Sequence, residues 1–242
     1  MAAPFLIDLQ DVTYTPDGKD VLSGVTVQSN ARRIGIVGRN GSGKTTLARM
    51  MAGLILPDAG EVRIGGADVG RDRKAALRQI GILFQNPDHQ IIFPTVEEEI
   101  AFGLTQLGQK PAEAQAGVAA ILARFDKSHW AKAAVHQLSQ GQRQLVCLMS
   151  ILAMGPKVIV LDEPFAGLDI PTTLQLERFL AELDVTLVQI THDPDAVRTY
   201  DQVVWIDAGR VAGNGAAAQV LPNFTIQMMQ IGGADDLSDL AS

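Results

Sequence analysis

The sequence predicts an α/β fold: a mixed, largely parallel sheet carrying a phosphate-binding loop, with N-terminal antiparallel strands and an inserted α-helical subdomain. Three observations predict it. Residues 38–45, Gly38-Arg39-Asn40-Gly41-Ser42-Gly43-Lys44-Thr45, fit the pattern G-x-x-x-x-G-K-[ST] between a short apolar run, Ile34-Gly35-Ile36-Val37, and a helix-like stretch over 46–52. Val158-Ile159-Val160-Leu161 is a continuous apolar run of the kind a central parallel strand carries. Between residues 86 and 155 the alternation of strand and helix gives way to helical spacing alone.

Taken in order, Phe5, Ile7 and Leu9 fall at alternate positions, as in a strand with one buried face. Pro16-Asp17-Gly18 reads as a turn, with strand resuming over 21–27. The helix after the phosphate loop ends near Gly53, and Pro57-Asp58-Ala59-Gly60 makes another turn. Val62 and Ile64 alternate with Glu61 and Arg63 up to Gly65-Gly66, and a compact strand over 80–84 ends at Gln85. Helices follow over 97–103 and 112–125, the second marked by Val118, Ile121, Leu122 and Phe125. Ser139 caps a helix running to 154, which Gly155-Pro156 stops. After the apolar strand come a helix over 171–183, a strand over 186–190, a helix over 194–200 and a final strand over 202–206, ahead of the Ala208-Gly209 turn. The pattern places one domain at 1–222, its helical subdomain at about 86–155, and a patternless, solvated tail with Asp235, Asp236 and Asp239 at 223–242.

Composition narrows the function classes. A chain of 242 residues with 47% hydrophobic and 19% charged residues suits one large globular domain. A net charge of −7 and a pI near 5.0 argue against a general electrostatic grip on nucleic acid. Cys147, the single cysteine, excludes an intrachain disulfide and sits in an apolar run, as a packing residue does. No run of apolar residues is long enough to span a membrane and no signal-peptide layout opens the chain, so a cytosolic protein that sits on a membrane partner is expected.

The motifs point to a Mg-nucleotide site. Three glycines let successive N–H groups converge on an anion, and the helix that follows adds its positive dipole end. Lys44 is expected to reach the β- and γ-phosphates, and the Thr45 hydroxyl to ligate Mg²⁺. The apolar strand ends in Asp162-Glu163, where a parallel sheet opens onto its ligand crevice. Asp162 is expected to serve the metal and Glu163 to polarise a water.

Leu138-Ser139-Gln140-Gly141-Gln142, then Leu161-Asp162-Glu163-Pro164, Ala166-Gly167-Leu168-Asp169 and Thr191-His192-Asp193 together resemble an ABC-type ATPase in order and spacing. The resemblance covers the chain to about residue 220 and departs from the usual L-S-G-G-Q at Gln140. It implies a P-loop NTPase core, RecA-like in its sheet, with the inserted helical subdomain of an ABC nucleotide-binding domain. It further implies a second ATPase subunit packed head to tail, as homo- or heterodimer. ATP would then lie between the loop of one copy (Gly38 to Thr45, with Thr46) and Ser139, Gly141, Gln142 and Asp169 of the other. By the same resemblance His192 contacts the γ-phosphate, Gln85 touches Mg²⁺ and the attacking water, and Tyr14 is the nearest aromatic that could stack on adenine.

The segment Gln85-Asn86-Pro87-Asp88-His89-Gln90, followed by Pro94-Thr95-Val96-Glu97-Glu98-Glu99-Ile100-Ala101-Phe102-Gly103, resembles the ATPases of energy-coupling factor (ECF) transporters. These drive bacterial import of vitamins or transition-metal ions. The resemblance implies a peripheral place on the cytoplasmic face of the inner membrane, a transmembrane coupling subunit and a substrate-binding membrane subunit as partners, and no nucleic acid. The short C-terminus leans toward the biotin type over the cobalt type. The alternative is a soluble ABC ATPase acting on nucleic acid or ribosomes, a class that usually pairs two nucleotide domains in one chain.

Overall fold

The computed structural model describes residues 6–234; Phe5, Asp235, Asp236 and Asp239 lie outside the described residues. In chain order the strands are β1 (Ile7–Tyr14), β2 (Leu22–Ser29), β3 (Arg33–Val37), β4 (Ala59–Ile64), β5 (Ala67–Asp68), β6 (Ile80–Leu83), β7 (Val158–Asp162), β8 (Thr186–Thr191), β9 (Gln202–Asp207) and β10 (Arg210–Gly215). The α-helices are α1 (Lys44–Met51), α2 (Arg73–Leu77), α3 (Val96–Gln106), α4 (Pro111–Arg124), α5 (Gln140–Ala153), α6 (Ile170–Glu182) and α7 (Ala217–Ala234).

Two sheets result. A four-stranded sheet runs in the order β2-β1-β4-β5, and its pairs are antiparallel. A six-stranded sheet runs β10-β9-β3-β8-β7-β6, parallel except for β10 at the edge. Every residue of β7 and β8 is buried because both faces of these strands are covered. The period of two divides them between cores. Val158, Val160, Val188 and Ile190 face α1 and the antiparallel sheet, whereas Ile159, Leu161 and Leu187 face the helical subdomain.

The subdomain, α3 to α5, is inserted between β6 and β7 as its helical spacing predicts. Ser139 caps α5 reciprocally with Gln142: the Gln142 N–H donates to Ser139 Oγ at 3.2 Å, and the Ser139 N–H to Gln142 Oε1 at 2.8 Å. Helix α5 crosses β6 at Gly81, where a Cβ would stand 2.2 Å from Ile151 Cγ2, so glycine permits this contact. Cys147 is buried within α5 and its thiol is pushed up by desolvation, as a packing residue.

Four boundaries differ from expectation. Ala59 and Gly60 open strand β4 instead of closing a turn, since Gly60 (φ +88) crosses a bulge in β1 where a Cβ would meet the Gln10 and Asp11 carbonyls at 2.4 Å. The helix expected over 194–200 is only a 3₁₀ turn at Asp195–Val197, because Pro194 and the Asp193 carboxylate, which accepts from the Asp195 N–H at 2.9 Å, hold a tight turn there. Strand β9 is not the last strand. The turn at Ala208 (φ +44) and Gly209 (φ +75) has the two left-handed residues of a tight hairpin, and β10 returns beside it. Helix α7 runs through Pro222, across the expected start of a patternless tail, and buries Phe224 edge-on to Trp205 at 5.7 Å. Strand β5 and helix α2, too short for a periodic pattern, were not anticipated.

Candidate active site

The C-terminal ends of β3, β6, β7 and β8 open on one side of the parallel sheet, and the residues there line a cleft of about 390 Å³. Asn40, Gly41, Gly43, Lys44, Thr45 and Thr46 form one wall; Gln85, Asp162, Glu163 and His192 face them. Gly43 (φ +104) lies where a Cβ would stand 2.8 Å from both Leu22 Cδ2 and the Val21 carbonyl, so the loop can lie this close to β2 only as glycine. Gly38 and Arg39 act through their carbonyls, which accept from Lys44 Nζ at 2.8 Å each. An ammonium has three donors, so one N–H of Lys44 remains for an anion. Burial holds the Lys44 amine below its usual range, against the attraction of Glu163 and Asp162. Ser42 is buried, and its Oγ lacks a hydrogen-bond partner among the described residues.

Asp162, 5% exposed, accepts from the Thr45 hydroxyl at 3.2 Å. Its carboxyl is pushed up by burial, with the Thr45 bond opposing and the Glu163 charge reinforcing the shift. Thr45, Asp162 and the Gln85 side chain present hard oxygen atoms of the kind Mg²⁺ prefers, so the residues fit that ion.

Glu163 adopts φ +48, a left-handed conformation uncommon for a residue with a side chain. Its N–H donates to the Ile190 carbonyl at 3.0 Å, fixing the turn against β8. The carboxylate accepts from the Thr191 hydroxyl at 3.3 Å and the His192 N–H at 3.0 Å, and lies 2.8 Å from His192 Nδ1. The Glu163 carboxylate and the histidine are therefore one hydrogen-bonded unit at the rim of the cleft.

Two groups of expected site residues lie elsewhere. Tyr14 is half-buried against the β1–β2 core and does not line the cleft, whose hydrophobic lining near the loop is Val21. Ser139, Gly141 and Gln142 line a separate cavity of about 290 Å³ with Trp130, Thr172 and Phe179. Asp169 caps α6, its carboxylate accepting from the Thr172 N–H at 2.9 Å, and hydrogen bonds to Thr172 hold it below the usual carboxylate range. Sequence reasoning passed over Gln144 and Glu99. Gln144, 1% exposed, donates to the Phe84 carbonyl at 3.1 Å and so fixes the strand end before Gln85. Glu99 accepts from the Ile92 and Phe93 N–H groups at 2.9 Å each. Neither carried a local signal: Glu99 closes the acidic triplet Glu97-Glu98-Glu99 and Gln144 closes the polar stretch from Ser139, so both read as solvated positions.

A glycine-rich loop before a helix, a set of hard oxygen atoms and a carboxylate–histidine pair at the C-terminal ends of the parallel strands are the arrangement of a nucleotide-hydrolysing domain. Residues 23–166 match the ABC transporter family, and the chain belongs to it. The biotin transport ATP-binding protein BioM of Rhodobacter capsulatus is 49% identical over 93% of this chain and 96% of its own length. The energy-coupling factor transporter ATP-binding protein EcfA of Methanothermobacter thermautotrophicus is 36% identical over 89% of this chain and 72% of its own length. Among solved structures, cbiO1 from Clostridium perfringens, part of the ABC transporter complex cbiONQ, superposes with a TM-score of 0.78 over 95% of each chain at 29% identity.

Proposed function

We propose that this chain is the ATP-hydrolysing motor of an ECF-type importer, and that biotin is the imported solute. The observation that carries hydrolysis is the bonding of Glu163 to Thr191 and His192 beside Lys44 and Thr45 in one cleft. The solute rests on the biotin transport relative at 49% identity.

In this reading Gly38 to Thr46 bind the triphosphate through backbone N–H groups, and Lys44 neutralises its terminal oxygens. Thr45, Asp162 and Gln85 hold Mg²⁺, which supplies charge neutralisation when bound. Glu163 orients and polarises the water for in-line attack, while His192 holds the carboxylate through Nδ1 and meets the γ-phosphate. Ser139, Gly141, Gln142 and Asp169 complete the site of a second copy; in support, Ser139, Gly141 and Gln142 line a cavity separate from the Lys44 cleft within one chain. Membrane subunits that read and pass the solute complete the assembly, with this chain peripheral on the cytoplasmic side. Among the described residues no helix is long and apolar enough to cross a membrane.

Deleting the gene from its host and measuring uptake of labelled biotin tests the reading. Loss of uptake, restored by the wild-type chain and not by Glu163→Gln, is expected. Normal biotin uptake would overturn the solute; purification of the tagged chain from host membranes with no integral membrane subunit attached would overturn the importer.

A further inference from the structure

Gln140 stands where the family pattern has a glycine, and its exposed side chain turns back onto its own subunit. Nε2 donates to the Ala166 carbonyl at 3.3 Å, across 26 residues of sequence. Ala166 in turn donates its N–H to the Glu163 carbonyl at 3.1 Å. Gly167 (φ +75) leaves room for this crossing, since a Cβ there would stand 3.1 Å from Gln140 Nε2. One residue on, Gly141 meets α6: a Cβ at this position would lie 2.2 Å from Thr172 Cγ2. Thr172 is also the residue whose N–H Asp169 caps. The N-termini of α5 and α6 therefore touch where a larger residue at 141 does not fit, and Gln140 adds a hydrogen-bonded strut to the loop between them. A cleft of about 460 Å³ lined by Gln85, Asp88, Gln140, Arg143 and Gly167 runs alongside the strut.

We propose that Gln140 is a positioning residue that ties the start of α5 to the loop carrying Glu163 and Asp169, so that nucleotide captured against Ser139 in one site adjusts the carboxylate serving the other. The proposal rests on the head-to-tail pair described above. An exposed glutamine held in one rotamer loses side-chain entropy, and a single long hydrogen bond returns little. The strut therefore adds little to stability, and its effect falls on the geometry of the Glu163 turn. That turn, with its left-handed φ, responds to displacement of Ala166 through a direct backbone hydrogen bond.

Two variants of the full chain test it. Gln140→Ala removes the amide; Gln140→Glu keeps the shape, but its carboxylate cannot donate to the Ala166 carbonyl. Both are expected to lower kcat by roughly two- to tenfold, the range one hydrogen bond supports. KM is expected to stay within about twofold, and the Hill coefficient for ATP to fall toward one. In the Glu163→Gln background both should still dimerise with Mg-ATP. Unchanged kcat and Hill coefficient would overturn the strut. A raised KM with loss of the dimer would make Gln140 a nucleotide or partner contact instead, also overturning it. Failure of Glu163→Gln alone to dimerise, with Gln140 intact, identifies the head-to-tail reading as the part that fails.

Discussion

Glu163 combines a strained backbone with three hydrogen-bonding partners on the end of β8, and that combination aims its carboxylate into the cleft. Replacing it by glutamine preserves the shape and removes the carboxylate charge that the proposed reading sets on the water. Turnover is expected to fall by roughly 10²-fold or more while ATP binding persists, checked by phosphate release and calorimetry. Lys44 is buried with its ammonium on two loop carbonyls, and in the proposed reading Lys44→Ala removes the charge set against the phosphates. Calorimetry should find ATP affinity at least about tenfold weaker. Asp162 supplies a pH-dependent test. Burial raises its folded pKa, so folding favours the protonated form. The ionised carboxylate is thus a cost that grows as pH rises through the folded value and is relieved as pH falls toward the ordinary carboxylate range. Asp162→Asn should raise the melting temperature of the nucleotide-free chain at about pH 8, with the advantage shrinking toward about pH 4. An advantage that is flat with pH would contradict the assignment.

At the scale of elements, the contacts that fix the site are those between a helix and a strand with no room to spare. Gly81 lets α5 lie against β6, and Gly81→Ala places a methyl group against Ile151. The expected loss is about 1–3 kcal/mol in urea unfolding, the usual penalty of overpacking. Helix α7 is held to β9 by Phe224 against Trp205, with Val220 and Leu221 in the same small core. Phe224→Ala should cost about 3 kcal/mol. Ile226→Ala, on the exposed side of the same helix, should change stability by less than about 0.5 kcal/mol.

For the whole molecule, the separation of the Ser139 group from the Lys44 cleft determines the prediction. Glu163→Gln with Mg-ATP is expected to run as a dimer by size-exclusion chromatography with light scattering, and a monomer under these conditions would contradict the paired arrangement. Asp88 pairs with Arg143 Nε at 2.9 Å, linking the segment after Gln85 to α5. Asp88→Ala in the intact membrane complex should reduce transport more than ATP hydrolysis; equal loss of both would count against a role facing the membrane subunits.

The central strands, the capped start of α5, the phosphate loop and the Asp162-Glu163 strand end were legible because each is a local pattern whose physics repeats in any chain. Continuous apolar runs bury on both faces, and glycines followed by lysine make an anion cradle. Strand β10 and helix α7 were not legible, because an edge strand carries little apolar alternation and Pro222 reads as a break. The sequence by itself determined the central strands, the loop and the residues expected at the site. Only the tertiary structure decided that Tyr14 packs against the core of the antiparallel sheet, that Glu163 bonds to His192, and that Gln140 reaches Ala166. Those facts depend on which side chains from distant stretches meet in space, and no local periodicity encodes that.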